Sequence, residues 1–340
     1  MPVFRLMDEN GVMRPGVPEP DVSRDECLRM YAVMKRLQAM DNVFYDAQRQ
    51  GRISFYMTNW GEEATQIGTV VALRDDDEIF AQYREAGVLM WRGYTLQDFA
   101  DQLFGNCDSR DKGRPMPVHY GSAKLHFQPI SSPLATQIPQ AAGAAFACKR
   151  EGRGRVVVCY FGDGAASEGD FHAGLNMAAT LECPVVYVCR NNGWAISTPV
   201  REQYRGDGIA ARGIAYGMHT IRVDGNDIWA VREAMISARA IAAGSGDGSG
   251  TRPVLVELMT YRLSHHSTSD DSTRYRSSDE IAAWSRGGVH PVTRMRNFLE
   301  RRGWWDEDME VALVADARKS VLVALAAGER KPKAALNVSC

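Results

Sequence analysis

The sequence lacks most of the features that assign a chain to a class at sight. Its seven cysteines stand scattered at 27, 107, 148, 159, 183, 189 and 340, with no C-x-x-C pair. A reducing compartment and buried thiols fit that spacing better than a disulfide framework or a zinc site. Neither sign of charge is in excess: Lys+Arg 40 against Asp+Glu 42 leaves a formal net charge of −2. That balance argues against nucleic acid or an anionic membrane as a partner. No apolar run exceeds the length of a strand, so no bilayer span is expected. The opening MPVFRLMDEN has neither an apolar signal core nor an Arg/Ser-rich transit segment. A cytoplasmic location is expected, with the mitochondrial matrix as its counterpart in a eukaryote. Two phosphate fingerprints are absent as well. There is no G-x-x-x-x-G-K-[ST], and the glycines after YFGDG do not fall as G-x-G-x-x-G.

What is present is 340 residues with 45% apolar content, enough to bury a large core. Residues 1–21, rich in Pro and Gly, read as an extended arm. A helix follows with Tyr31, Met34, Leu37, Met40 and Phe44 on one face, ending near Gly51. A second helix is expected over Glu62 to Leu73, then a short strand, IFAQY. The stretch 105–130 has many Gly, Pro and charged residues and no period; a loop that long in a compact domain is usually functional. ATQIPQAAGAAFACKR reads as a helix of small residues. From 155 the pattern becomes strand, helix, strand: RVVVCYF and PVVYVCR are continuous apolar runs suited to buried parallel strands. MHTIRVDG and PVLVELMTYR repeat that signature around a helix from Ile228 to Ala243, and AGSGDGSGT reads as a flexible surface link. The expected fold is α/β, a doubly wound, mainly parallel sheet over 22–278, with a helical C-terminal tail over 279–340.

The most specific stretch is GDGAASEGD…CRNNGW. Gly162-Asp163-Gly164 falls where a buried strand hands over to a helix, and Asn191-Asn192 ends the next strand. The 26 intervening residues suffice for one helical crossover. That places the Asp and the Asn pair side by side outside the carboxyl ends of neighbouring parallel strands, where open α/β sheets bind ligands. Glycines flanking Asp163 let an anion approach the backbone. A carboxylate with an amide oxygen suits a hard divalent cation that neutralises a diphosphate, and helix N-terminal amides favour the same anion. GDG alone is a common turn and NNG a common strand exit; the weight lies in their spacing and βαβ context.

These residues resemble a known family. GDG followed by about 25 to 30 residues and NN is the signature of thiamine diphosphate enzymes. ISFYMTNWGEEA, MPVHYG, ISSPLATQIPQAAGAA, NNGWAISTP, QYRGDGIAARG and YRLSHHSTSDDS resemble the alpha subunits of branched-chain 2-oxo acid dehydrogenases, over roughly residues 20 to 333. The resemblance implies that Asp163, Asn192 and the carbonyl of Trp194 hold magnesium; the family usually has Tyr at the last position. It implies Gln82, Tyr83, Arg84, Ser132, Leu134, Gly162, Gly164, Ala165, Arg190 and His266 around thiamine diphosphate, with His266 and Tyr83 at the reacting centre. It further implies potassium at Ser131, Pro133, Thr136 and Gln137, and Phe55 with Tyr83 facing the substrate. Two guanidiniums, Arg84 and Arg190, suit phosphate oxygens on their own chemistry.

In that family the glutamate that activates the cofactor, and a further histidine, come from a separate beta subunit. The resemblance therefore implies an assembly of two alpha and two beta chains that passes an acyl group to a lipoyl-bearing acyltransferase. The small-residue helix and the Met/Trp-bearing tail are the expected partner surfaces. Ser267 matches a regulatory phosphorylation site, making SHHSTSDD a lid over the cofactor. Within that lid, Asp270 and Asp271 are expected to pair with Arg262 and Arg276. Pyruvate or acetoin dehydrogenase alpha subunits, and a structural subunit without catalysis, remain as alternatives. A zinc hydrolase using His265 and His266 is disfavoured, because adjacent histidines do not share a helix face. His119 and His126, in the long loop, suit a structural or solvent-facing role as well as a catalytic one, and His172 suits packing or capping.

Overall fold

In the computed structural model, which describes residues 1–245 and 250–335, the apolar strands set the plan. The chain runs α1 (Arg24–Arg49), α2 (Glu63–Val70), β1 (Glu78–Phe80), α3 (Ala86–Trp91), α4 (Leu96–Phe104), β2 (Phe127–Gln128) and α5 (Gln137–Glu151). It continues through β3 (Val157–Gly162), α6 (Gly169–Thr180), β4 (Val185–Asn191), the hairpin β5 (Trp194–Ala195) and β6 (Thr198–Pro199), α7 (Val200–Gln203) and α8 (Ala210–Ala215). The remaining elements are β7 (His219–Asp224), α9 (Ile228–Ala242), β8 (Val254–Met259), α10 (Ser278–Ser285), α11 (Pro291–Arg301) and α12 (Glu307–Arg330). Six strands form one sheet in the order β2-β1-β3-β4-β8-β7, every pair parallel.

Strand alternation divides the core between the two faces of that sheet. Val158, Tyr160, Val186, Val188, Val256 and Leu258 pack with α1, α4, α9 and α12. Their neighbours Val157, Cys159, Phe161, Val185, Tyr187 and Cys189 pack with α5 and α6 on the other side. This two-sided burial explains why the strands read as unbroken apolar runs. Five of the cysteines are buried as free thiols, and burial pushes Cys159 and Cys189 well above the usual thiol range.

The strand order turns outward from β1 and β3, with β2 on one side and β4 on the other. Their carboxyl ends flank a topological switch point, the crevice where doubly wound sheets take ligands. The arm over 1–21 runs along the opposite edge: Phe4 bridges to Val223 of β7. One carboxylate fixes it there. Asp227 caps α9 through the N–H groups of Trp229 and Ala230, and its second oxygen accepts from Leu6 and Met7 at 2.7 Å each.

Several expectations are corrected. The second helix ends at Val70, and the strand read from IFAQY ends at Phe80, so Gln82, Tyr83 and Arg84 lie in a loop. The stretch 105–130 contains the edge strand β2, two residues long and too short to show a period. Trp305 of the tail is a core residue rather than a partner surface. It meets Tyr31 edge-on at 5.1 Å, and both side chains bond Glu310. The flexible link over 243–251 and the chain end lie partly outside the described residues.

Beneath the switch point Glu63 is fully buried, accepting from the Gln38 amide and the Gly61 N–H at 3.0 Å each. Burial pushes its carboxyl from about 4.5 up to about 7. Between those values the folded chain holds a proton that the unfolded chain has released, so Glu63 makes stability fall as pH rises through this window. Glu63→Gln keeps an acceptor for Gly61. Its unfolding free energy is expected to exceed the parent's by up to about 3 kcal/mol at pH 8 and to show no such gain at pH 4; urea melts at the two pH values check this.

Candidate functional site

Register decides which loops meet. Gly162 lies opposite Arg190 in the β3–β4 pair, and Asn191 lies opposite Met259 in the β4–β8 pair. The Gly-Asp-Gly turn, the Asn-Asn turn and the segment after β8 thus leave the sheet at one edge. Gln82, just after β1, joins them by accepting the Gly162 N–H at 2.6 Å. Together they enclose a cavity of about 460 Å³. Phe55, Gln82, Tyr83, Arg84, Ser132, Leu134, Gly162, Asp163, Gly164, Ala165, Arg190, Asn192, Trp194, His266 and Ser267, all expected from the sequence, line it. Ser131, Pro133, Thr136 and Gln137 are outside its wall, on the turn entering α5, where the Gln137 amide donates to the Tyr160 carbonyl.

Two carboxylates that the sequence reading did not single out lie behind the cavity wall. Glu62 and Glu85 are fully buried, and both grip Arg190: Nη1 meets Glu62 at 2.5 Å, and Nε bonds Glu85. Burial disfavours the Arg190 cation, but Glu85 and Glu62 more than offset it and hold the group above its ordinary range. The remaining nitrogen, Nη2, is buried without a partner. A charged donor left unmade in this way is costly unless a ligand completes it. Glu62 also accepts from the Asn192 amide at 2.9 Å, and Glu85 accepts the N–H groups of Gln82 and Tyr83. One pair of acids therefore positions four of the expected ligand residues.

Asp163 faces Asn192 across the two turns. Burial pushes its carboxyl up to about 6, while the amide N–H of Gln203, at 2.7 Å, works in the other direction. A Cβ added at Gly164 would lie 2.7 Å from that of Ala195, so glycine is what lets the β5–β6 hairpin close on this turn. A Cβ at Gly162 would meet nothing nearer than 3.7 Å, leaving space beside Asp163. One carboxylate with neutral oxygens is a weak cation site by itself. It suits magnesium, which takes one or two carboxylates and completes its shell with phosphate oxygens and water.

The run SHHSTSDD packs against the cavity as a folded loop. His266 Nδ1 lies 3.3 Å from Arg84 Nη2 and 3.4 Å from Arg262 Nη1. Burial, then Arg84 and Arg262, lower the imidazole to about 2, so it is neutral. With two guanidiniums facing Nδ1, the proton belongs on Nε2. His265 is turned away onto the Ser272 hydroxyl and N–H, at 2.9 Å each. The expected Asp–Arg pairing inside the loop is corrected. Arg276 serves the carbonyls of Arg262 and Ser264, while Arg262 serves the Ile196 carbonyl and the Tyr275 hydroxyl. Asp270 instead accepts the His266 N–H and the Tyr275 hydroxyl, and Asp271 meets Arg274. Arg262 is a buried cation on the cavity wall with an unpartnered Nε, and burial followed by Arg84 lowers it to about 10.

The long-loop histidines separate. His119 lines the cavity, and its Nε2 lies 2.7 Å from the Ser132 hydroxyl; His126 is paired with Glu78 at the sheet edge. His172 meets the Tyr216 hydroxyl and caps nothing. The apolar side of the cavity is Phe55, Met57, Met116, Leu134 and Ile196.

Comparison with known proteins identifies the family. A family model described as "Dehydrogenase E1 component" matches residues 31–337. The chain belongs to the dehydrogenase E1 component family. It is 55% identical to the human protein named 2-oxoisovalerate dehydrogenase subunit alpha, mitochondrial, over 98% of this chain and 74% of that protein. The Caenorhabditis elegans protein of the same name is 52% identical over 98% and 76%, and an Arabidopsis thaliana counterpart 53% identical over 99% and 70%. No helix among the described residues is long and apolar enough to cross a membrane.

In this E1 component Arg190 is the group whose loss leaves most behind. Arg190→Ala strands two buried carboxylates, and breaking a buried pair in this way costs about 3–5 kcal/mol. Chemical denaturation is expected to show a loss in that range, with Arg190→Lys intermediate because one ammonium cannot reproduce the fork.

Proposed function

We propose that the chain is the alpha subunit of a branched-chain 2-oxo acid dehydrogenase, binding thiamine diphosphate through magnesium and working with a beta subunit. The observation that carries this reading is one cavity lined both by Arg190, whose buried Nη2 has no partner, and by the Asp163–Asn192 pair: the first suits an anion, the second a cation. Asp163, Asn192 and the Trp194 carbonyl would hold magnesium. Arg190 and Arg84 would take diphosphate oxygens, with Gly162 and Gly164 leaving the backbone open to them. The neutral His266 presents Nε2–H as a donor and carries no charge that a substrate would have to displace. Thiamine diphosphate, when bound, supplies the nucleophilic carbon and the electron sink for decarboxylation. Phe55, Tyr83, Leu134 and Ile196 give an apolar wall for the aliphatic end of the substrate. Potassium at Ser131, Pro133, Thr136 and Gln137 would brace the turn that carries Ser132 and Leu134.

The partners rest on the family to which the chain belongs, and the cavity lining is compatible with them. Of the carboxylates on its wall, Asp163 is committed to the cation and Glu168 stands exposed. The acid that activates the cofactor is assigned to the beta subunit, and the acyl group leaves on a lipoyl arm of the acyltransferase. Phe146, Met177 and Leu181 are exposed on the α5–α6 side, where Gly143 leaves open space, and this face suits the partner. Ser267 is nearly buried on the cavity wall. A phosphate there, with about −1.5 to −2 charges, would have to force the loop open against the anionic cofactor.

The test is the assembled enzyme with 2-oxoisovalerate and pyruvate. Two extra buried methyl equivalents contribute about 1.6 kcal/mol, so kcat/KM is expected to favour 2-oxoisovalerate by roughly tenfold or more. A preference for pyruvate would move the assignment to a pyruvate or acetoin type. Full activity of the chain without a beta subunit would contradict the partnership. In the same assay Ser267→Glu is expected to lower activity at least tenfold, and an unchanged rate would reduce the loop to a passive wall.

A further inference from the structure

The backbone of Trp194 is oriented by its place in the hairpin. Val200 N–H donates to the Gly193 carbonyl at 3.1 Å, and Ala195 pairs with Thr198 beside the two-residue loop. Antiparallel ladders alternate, so the intervening Trp194–Pro199 pair is the non-hydrogen-bonded kind. Its N–H and C=O groups point away from the partner strand. The Trp194 N–H follows this rule, donating to Asn192 Oδ1 at 3.2 Å. By the same rule the carbonyl of this residue shares that side of the hairpin, the side of Asn192.

The side chain of Trp194 is anchored separately. The indole Nε1–H donates to Glu280 Oε1 at 3.0 Å, and the same oxygen accepts the Tyr261 hydroxyl at 2.8 Å. Tyr261 is itself held by stacking on Trp284, with centroids 5.2 Å apart and planes within 3°. Glu280 is held at its root too: it lies in the first turn of α10, where Ser277 accepts its N–H at 3.1 Å. The ring of Tyr275, from the loop that carries His266, lies 5.5 Å from the indole. A carboxylate fixed at both ends thus grips a side chain whose own backbone faces the cation pair.

We propose that Glu280 is a positioning residue for the cation site, acting through the Trp194 indole to set the angle of the Trp194 carbonyl. The proposal rests on the magnesium and thiamine diphosphate reading above. Glu280 touches neither ion nor cofactor. Removing it frees the hairpin to rotate and withdraws one oxygen from a site that has a single carboxylate to spare.

The test is calorimetric titration of magnesium, at fixed thiamine diphosphate, into the chain assembled with its beta subunit. Partners behind a metal ligand typically carry about 10–100-fold in affinity. Glu280→Ala is expected to weaken magnesium at least tenfold, and Glu280→Gln, which keeps an acceptor oxygen for both donors, to restore it. Trp194→Phe keeps the backbone carbonyl but loses the indole N–H, and is expected to match Glu280→Ala. The double variant is expected to be no weaker than either single one, as for residues acting in series. Parental affinity in Glu280→Ala, or losses that add in the double variant, would overturn the proposal. Should the Ala variant fail to fold, the Gln and Phe variants still decide it: Trp194→Phe with parental affinity, or Glu280→Gln as weak as Trp194→Phe, overturns it. A parent without magnesium-dependent cofactor binding would overturn the reading beneath it as well.

Discussion

The site depends on one buried cation held by two buried acids. Arg190 ends β4 with Nε on Glu85 and Nη1 on Glu62, and each acid then orders a different loop. Glu85 collects the N–H groups of Gln82 and Tyr83; Glu62 holds the Asn192 amide and lies 3.9 Å from Arg84. Such an arrangement is expensive to bury and adds little net stability by itself. What it gives is geometry: Arg190 is fixed on the wall of a cavity that Asp163 and Asn192 also line.

Guanidinium groups crowd one side of the cavity. Arg84, Arg262 and Arg276 cluster behind His266, and Arg262 and Arg276 spend hydrogen-bond donors on carbonyl oxygens. Burial first, and then Arg84 and Arg262, keep His266 neutral. Among the described residues no three His, Cys, Asp or Glu side chains gather to hold a metal; in the SHHSTSDD loop His265 meets Ser272, and His266 meets Arg84 and Arg262. The loop is a wall held by Asp270, Tyr275 and Arg276, with Ser267 on the cavity side, and Trp194 connects its Tyr275 ring to Asn192.

Much of this was legible in the sequence, and the exceptions share a cause. The strands β3, β4 and β8 are apolar on both faces, so their runs announce a doubly wound sheet, and the Asp163–Asn192 spacing then follows from one crossover. Glu62 and Glu85 could not be read, because nothing in WGEEA or QYREAG tells which acid turns inward; the adjacent Glu62 and Glu63 join separate networks. Loop shape was equally hidden. Val118, Ala135 and Ile196 adopt positive φ of 65°, 65° and 53° without being glycine, and each adjoins or lines the cavity. Side chains in that conformation are held by tertiary contacts, which local sequence does not encode.

The central claim is that Arg190 and the Asp163–Asn192 pair together bind one diphosphate–magnesium unit. Calorimetry of thiamine diphosphate binding to the assembled enzyme, with and without magnesium, tests it most directly. The expected result is one cofactor per alpha chain, bound only when the cation is present. Equal binding with and without magnesium, or none in either case, would contradict the account.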